Sequence, residues 1–147
     1  MIFKFKMAIS LLAMALVISA CSSESHGYPW KLIEQKQEIE TVDGISLKIK
    51  NETNSGLSYE IRNESEEQLS YGQEVYLEIE VNEKWYRIDE SLEWEANLLF
   101  LEAGTSAEYS FEWLDVYGEL PKGHYRLIKT ANLLEETIYL ADEFYVK

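Results

Sequence analysis

The chain has 147 residues, 46% of them hydrophobic and 13% aromatic, and carries a formal charge of −14. That length has room for one domain around one core, and the hydrophobic share argues against intrinsic disorder. So acidic a surface repels phosphate backbones, which bind by exchanging counterions for Lys and Arg, and this argues against nucleic acid as a partner.

The first residues form an address. Lys4 and Lys6 give a basic start, Met7 to Ile18 an apolar run, and Ser19 and Ala20 a small-residue end. In that order they make a secretory signal over residues 1–20, too short for a comfortable transmembrane helix and followed at once by polar residues. Ile18-Ser19-Ala20-Cys21 resembles the lipobox of bacterial lipoproteins, which implies that Cys21 receives a diacylglycerol and becomes the new N-terminus after cleavage. One acyl chain binds a membrane reversibly and two bind it durably, at about 0.8 kcal/mol per buried methylene. The expected location is the extracytoplasmic face of the cell membrane, with the lipid as the membrane contact. Losing Lys4 and Lys6 leaves 11 of the 13 basic residues against 27 acidic ones, a net −16. Cys21 is the only cysteine, so the domain must hold together by burial and hydrogen bonding without an internal disulfide.

Ser22 to Gly27 is small and polar and reads as a tether; His26 within it lacks the fixed surroundings that a catalytic base needs. Between Tyr28 and Glu40 the apolar residues Trp30, Leu32, Ile33 and Ile39 fit neither the helical nor the strand period, leaving a short helix or an irregular lead-in open. Residues 21–40 are accordingly read as lipidated Cys, tether and lead-in, and residues 41–147 as the folded domain. Asp43-Gly44 is a hairpin-turn signal. Ile45, Leu47 and Ile49 then alternate with polar neighbours, as do Leu57, Tyr59 and Ile61. Val75, Leu77, Ile79 and Val81 define a clear strand, turned back at Asn82-Glu83-Lys84 into Trp85 to Ile88. Leu98 to Leu101 is a short apolar strand, and Ala107, Tyr109, Phe111 and Trp113 alternate in the next. Ile138, Leu140, Phe144 and Val146 share parity in a long last strand, with a bulge expected near Asp142. The Asn-x-Ser/Thr triplets at Asn51 and Asn63 read as chance loop sequence beside a lipobox.

Between the last two strand pairs lies Tyr117-Gly-Glu-Leu-Pro-Lys-Gly-His-Tyr-Arg126, around which the rest is expected to pack. Pro121 and Gly123 fix a turn, Pro by locking φ and Gly by permitting angles closed to other residues. Tyr125 opens the following strand facing inward, in the manner of a tyrosine corner. Roughly seven to nine short strands, no long helix and no internal repeat predict an all-β, antiparallel two-sheet sandwich. From about Ile45 onward the chain resembles the bacterial Ig-like domain of small, mainly Gram-positive lipoproteins. The residues that carry the resemblance are Leu69-x-Tyr71-Gly72, Glu83-x-Trp85-Tyr86, Leu101-x-x-Gly104, Tyr117-Gly118-x-Leu120-Pro121-x-Gly123-x-Tyr125-Arg126 and Glu143-Phe144. It implies an immunoglobulin-like sandwich behind a lipoprotein signal and tether, without the cysteine pair of antibody domains and with no family-wide catalytic motif.

The residues point away from catalysis. Lipidation removes Cys21 as a nucleophile, and outside the tether His124 is the only histidine, placed by parity on the outward, solvated side of its strand. Arg126 stands on the same side beside many acids, as a surface ion pair or with its stem packed across a neighbouring strand. Zinc needs Cys and His in multiples, and the acidic runs at Glu64 to Glu67 and Asp89 to Glu93 lack the spacing of a calcium loop. No enzyme, metal or cofactor is expected. Trp94, in the polar connection Ser91 to Asn97, is the candidate partner contact. The preferred reading is a membrane-anchored, non-catalytic protein-interaction module of the cell envelope; the alternative is a sandwich inhibitor of secreted proteases acting through Asn51 to Gly56 or Glu90 to Asn97.

Overall fold

A computed structural model describes residues 27–36, 38–89 and 93–147. The signal segment, Cys21 and His26 lie outside the described residues. Alternation of buried and exposed side chains builds two antiparallel sheets. The smaller contains β2 (Ile45–Glu52), β3 (Gly56–Asn63) and β8 (Thr105–Glu112), with β3 in the centre. The larger is organised on β9 (Gly123–Leu133), which β10 (Glu136–Val146) flanks along its whole length. The opposite side of β9 is shared end to end by β5 (Tyr76–Val81) and β4 (Leu69–Tyr71). Outside β5 come β6 (Lys84–Ile88) and β1 (Leu32–Glu34); outside β4 comes β7 (Leu99–Leu101). One helical turn, α1 (Leu114–Tyr117), links β8 to the corner before β9.

The ten strands among the described residues exceed the sequence count because β1 and β4 span only three residues each, too few to display alternation. The lead-in is therefore in part a strand, β1 pairing with β6 in the register Leu32 to Ile88. Asp43-Gly44 makes a turn but not a hairpin, since the residues before it are not in a strand. β10 pairs with β9 in unbroken register from Glu136 to Val146, so no bulge lies at Asp142. The irregularity is in β2, between Ile49 and Asn51. There the Ile49 N–H donates to Asp142 Oδ2 at 2.9 Å, tying the two sheets together along one edge.

The core lies between the sheets. Leu47, Leu57, Tyr59 and Ile61 from the small sheet meet Leu69, Leu77, Ile79, Leu127 and Phe144 from the large one, all buried. Asn63, fully buried, organises the adjoining loop: its Nδ2 donates to the carbonyls of Glu67 and Leu101, and its Oδ1 accepts from Ser65. At the opposite end Trp30 Nε1 donates to the Tyr117 carbonyl at 2.9 Å, fastening the lead-in to α1.

Tyr125 is fully buried, and its hydroxyl donates to the Pro121 carbonyl at 2.6 Å, while its ring stacks on Phe144 with centroids 5.6 Å apart. Gly123 serves this arrangement through space rather than backbone angle. Its φ is not in the left-handed region, but a Cβ there would stand 3.2 Å from the Tyr125 ring and 3.5 Å from Ile79 Cδ1. The positive φ of this corner belongs to Gly118, at 74°. Tyr125→Phe should cost about 1 to 3 kcal/mol, since it leaves a part-buried carbonyl without its donor. Thermal and denaturant unfolding read this directly, and an unchanged midpoint would show that the corner bond contributes nothing.

Candidate functional site

The outward face of the large sheet is laid out in rows by the strand register. Trp85, Glu80, His124 and Tyr145 stand side by side across β6, β5, β9 and β10. In the next row are Arg87, Glu78, Arg126 and Glu143. Arg126 Nη2 and Nε both reach Glu78 Oε2, at 2.5 and 2.6 Å, and the guanidinium lies 4.3 Å from the centroid of the Trp85 ring. This is a buried pair and not a surface one, with side chains only 9% and 3% exposed. Burial pushes the Glu78 carboxyl up, and the Arg126 charge pulls the other way.

His124 faces outward but is only partly exposed. Its Nδ1 lies 2.6 Å from Glu80 Oε2 and its Nε2 lies 2.9 Å from Glu143 Oε2. The ring stacks flat on Tyr145 at 4.2 Å and meets the Trp85 ring edge-on at 5.0 Å. With both nitrogens engaged by carboxylates, the ring is fixed as a cross-link between β5, β9 and β10. A catalytic base needs a free nitrogen beside a reacting group.

The cover on this face comes from the connection between β1 and β2. β1 borders β6 at one edge of the sheet while β2 adjoins β10 at the other, and between them residues 39–42 lie against the outward side. Ile39, Glu40 and Thr41 line a depression of about 460 Å³ together with Arg126, Tyr139 and Glu143. Among the described residues no group of three or more His, Cys, Asp or Glu side chains converges as metal ligands would.

Trp94 is half-buried, not free in a polar loop. Its ring tilts against Phe111 at 6.4 Å, and it borders a depression shared with Tyr59, Leu99 and Tyr109. The large apolar side chains that do face solvent nearby are Leu98 and Phe100, 58% and 57% exposed, beside and on β7. Among the described residues β7 pairs with β4 alone, and no strand is hydrogen-bonded to its other edge.

A family model for the bacterial Ig-like domain matches residues 32–145. The chain belongs to this family. The match opens at Leu32, the first residue of β1. Searches of curated proteins and of solved structures return no match. Membership suggests a protein-interaction module, in a family that is typically non-catalytic.

One residue of this Ig-like domain is absent from the sequence candidates. Lys129 stands at the same parity as Tyr125 and Leu127 and points into the sandwich, 2% exposed. Its Nζ donates to the carbonyls of Gly72 and Glu74 at 2.6 and 3.0 Å, where β4 gives way to β5, and lies 5.3 Å from the Tyr71 ring centroid. Burial pulls its ammonium down to about 8, and the Glu74 charge opposes this. A lysine at an inward strand position was the available signal.

Replacing Arg126 alone by Met leaves Glu78 buried without a counter-charge, and should cost about 3 to 5 kcal/mol. Combining it with Glu78→Leu should recover most of that loss, because desolvating the pair offsets much of its attraction. Denaturant unfolding of the two singles and the double closes the cycle; additive losses would mean that the two groups act independently.

Proposed function

We propose that the chain is a lipoprotein anchored through Cys21 to the extracytoplasmic face of the cell membrane, and that its Ig-like domain is a non-catalytic module that docks a protein of the envelope or the surroundings. The observation that carries the docking role is the exposed apolar pair Leu98 and Phe100 at the open edge of β7. Strand edges are normally blunted with charge, Pro or a covering segment, because an open edge pairs with another chain. This edge instead presents a leucine and a phenylalanine on a protein whose formal charge is −14. Apolar side chains spared from that acidic surface are suited to contact with a partner. The anchor reading is supported by the order of basic start, apolar run, small residues and cysteine in residues 1–21.

Crosslinking on intact cells tests both parts. The wild type should fractionate with membranes and give a discrete adduct, and Cys21→Ala should move the protein to the soluble or unprocessed pool. Leu98→Glu with Phe100→Glu should stay at the membrane and lose the adduct. Unchanged fractionation of Cys21→Ala would remove the anchor, and an adduct indifferent to both glutamates would remove the β7 edge.

A further inference from the structure

We propose that the Ig-like domain binds a small apolar carboxylate, its charged end on the Lys129 ammonium and its hydrocarbon among Tyr59, Trp94, Leu99, Tyr109 and Phe111. These side chains border one depression of about 210 Å³. An apolar cavity of about 150 Å³ is enough to admit benzene, so the space suits a molecule the size of benzoate.

The charge of Lys129 decides the class of occupant. An ammonium has three N–H donors, and the carbonyls of Gly72 and Glu74 take two of them. Both acceptors are neutral. Among the described residues no carboxylate stands within ion-pair range of Nζ; Glu74 acts on it only through space. Burying an ammonium without a counter-ion is costly, and a bound carboxylate offsets that cost with a charge-assisted hydrogen bond. The walls select against small inorganic anions, because Tyr59, Trp94, Tyr109, Phe111, Val75 and Leu99 outnumber the polar Gln73 and Ser110. Few convergent polar groups in an apolar cleft, one of them a buried ionisable group, is the arrangement of a ligand pocket. The proposal stands apart from the β7 edge, since Leu98 and Phe100 do not line this depression.

Titration of the wild-type domain with sodium benzoate, followed by backbone and indole ¹H–¹⁵N shifts, tests it. Saturable changes at millimolar ligand should centre on Trp94, Leu99, Tyr109 and Phe111. Benzyl alcohol, of similar size but uncharged, should bind at least about tenfold more weakly, as should benzoate to Lys129→Met. Because that variant leaves two carbonyls without a donor, Leu99→Trp supplies a second test: it fills the depression without touching the ammonium and should abolish the shifts. No saturable change with benzoate, equal binding of benzyl alcohol, or benzoate shifts that survive Leu99→Trp would each overturn the proposal.

Discussion

Burial of β9 on both faces is the constraint from which most of the structure follows. A strand covered on both sides usually carries an unbroken apolar run, because every polar side chain on it must find a partner away from water. From Tyr125 to Lys129 each residue of β9 is buried, yet Arg126 and Lys129 are charged. The outward charge is met by a carboxylate and an indole face, the inward one by two carbonyls and a phenol ring. Even the strand's entry is governed this way, since the Tyr125 hydroxyl is satisfied by the Pro121 carbonyl just before it.

The partners come from different elements, and this ties the topology together. Glu78 arrives on β5, Trp85 on β6 and Glu143 on β10, so the outward face of β9 is satisfied only when three other strands are in register. The inward charge depends on the break between β4 and β5, where the chain leaves the ladder and frees the carbonyls of Gly72 and Glu74. A continuous strand there would have spent those carbonyls on its neighbours. Removing one member of such a network leaves its partner buried and unpaired, which is costly even where the intact pair adds little stability.

Much of the sandwich was legible in the sequence, for one physical reason. Side chains alternate faces along a strand, so Ile45–Ile49, Leu57–Ile61, Val75–Val81 and Ala107–Phe111 declare their buried sides without reference to anything else. Alternation assigns a face but not what lies over it. His124 and Arg126 were correctly outward, yet aromatic rings flank the first and the β1–β2 connection lies beside the second, and no local pattern reports a segment arriving from elsewhere in the chain. Gly123 shows the same limit: its turn was evident, but the reason for a missing side chain is a ring two residues onward. The short strands β1 and β4 were invisible because three residues hold barely one alternation. Leu98 and Phe100 could not be recognised as an open edge until the pairing order was known.

The placement of β1 has a consequence for the domain's solubility. Its three residues occupy the outer hydrogen-bonding edge of β6, and the contact is renewed just beyond them, where the Gln35 N–H donates to the Trp85 carbonyl at 2.8 Å. The first described strand therefore acts as a selvedge: it occupies the edge by which β6 would otherwise stitch to the same strand of a neighbouring copy. Loss of the segment ahead of Ile45 would bare that edge to pairing with another copy.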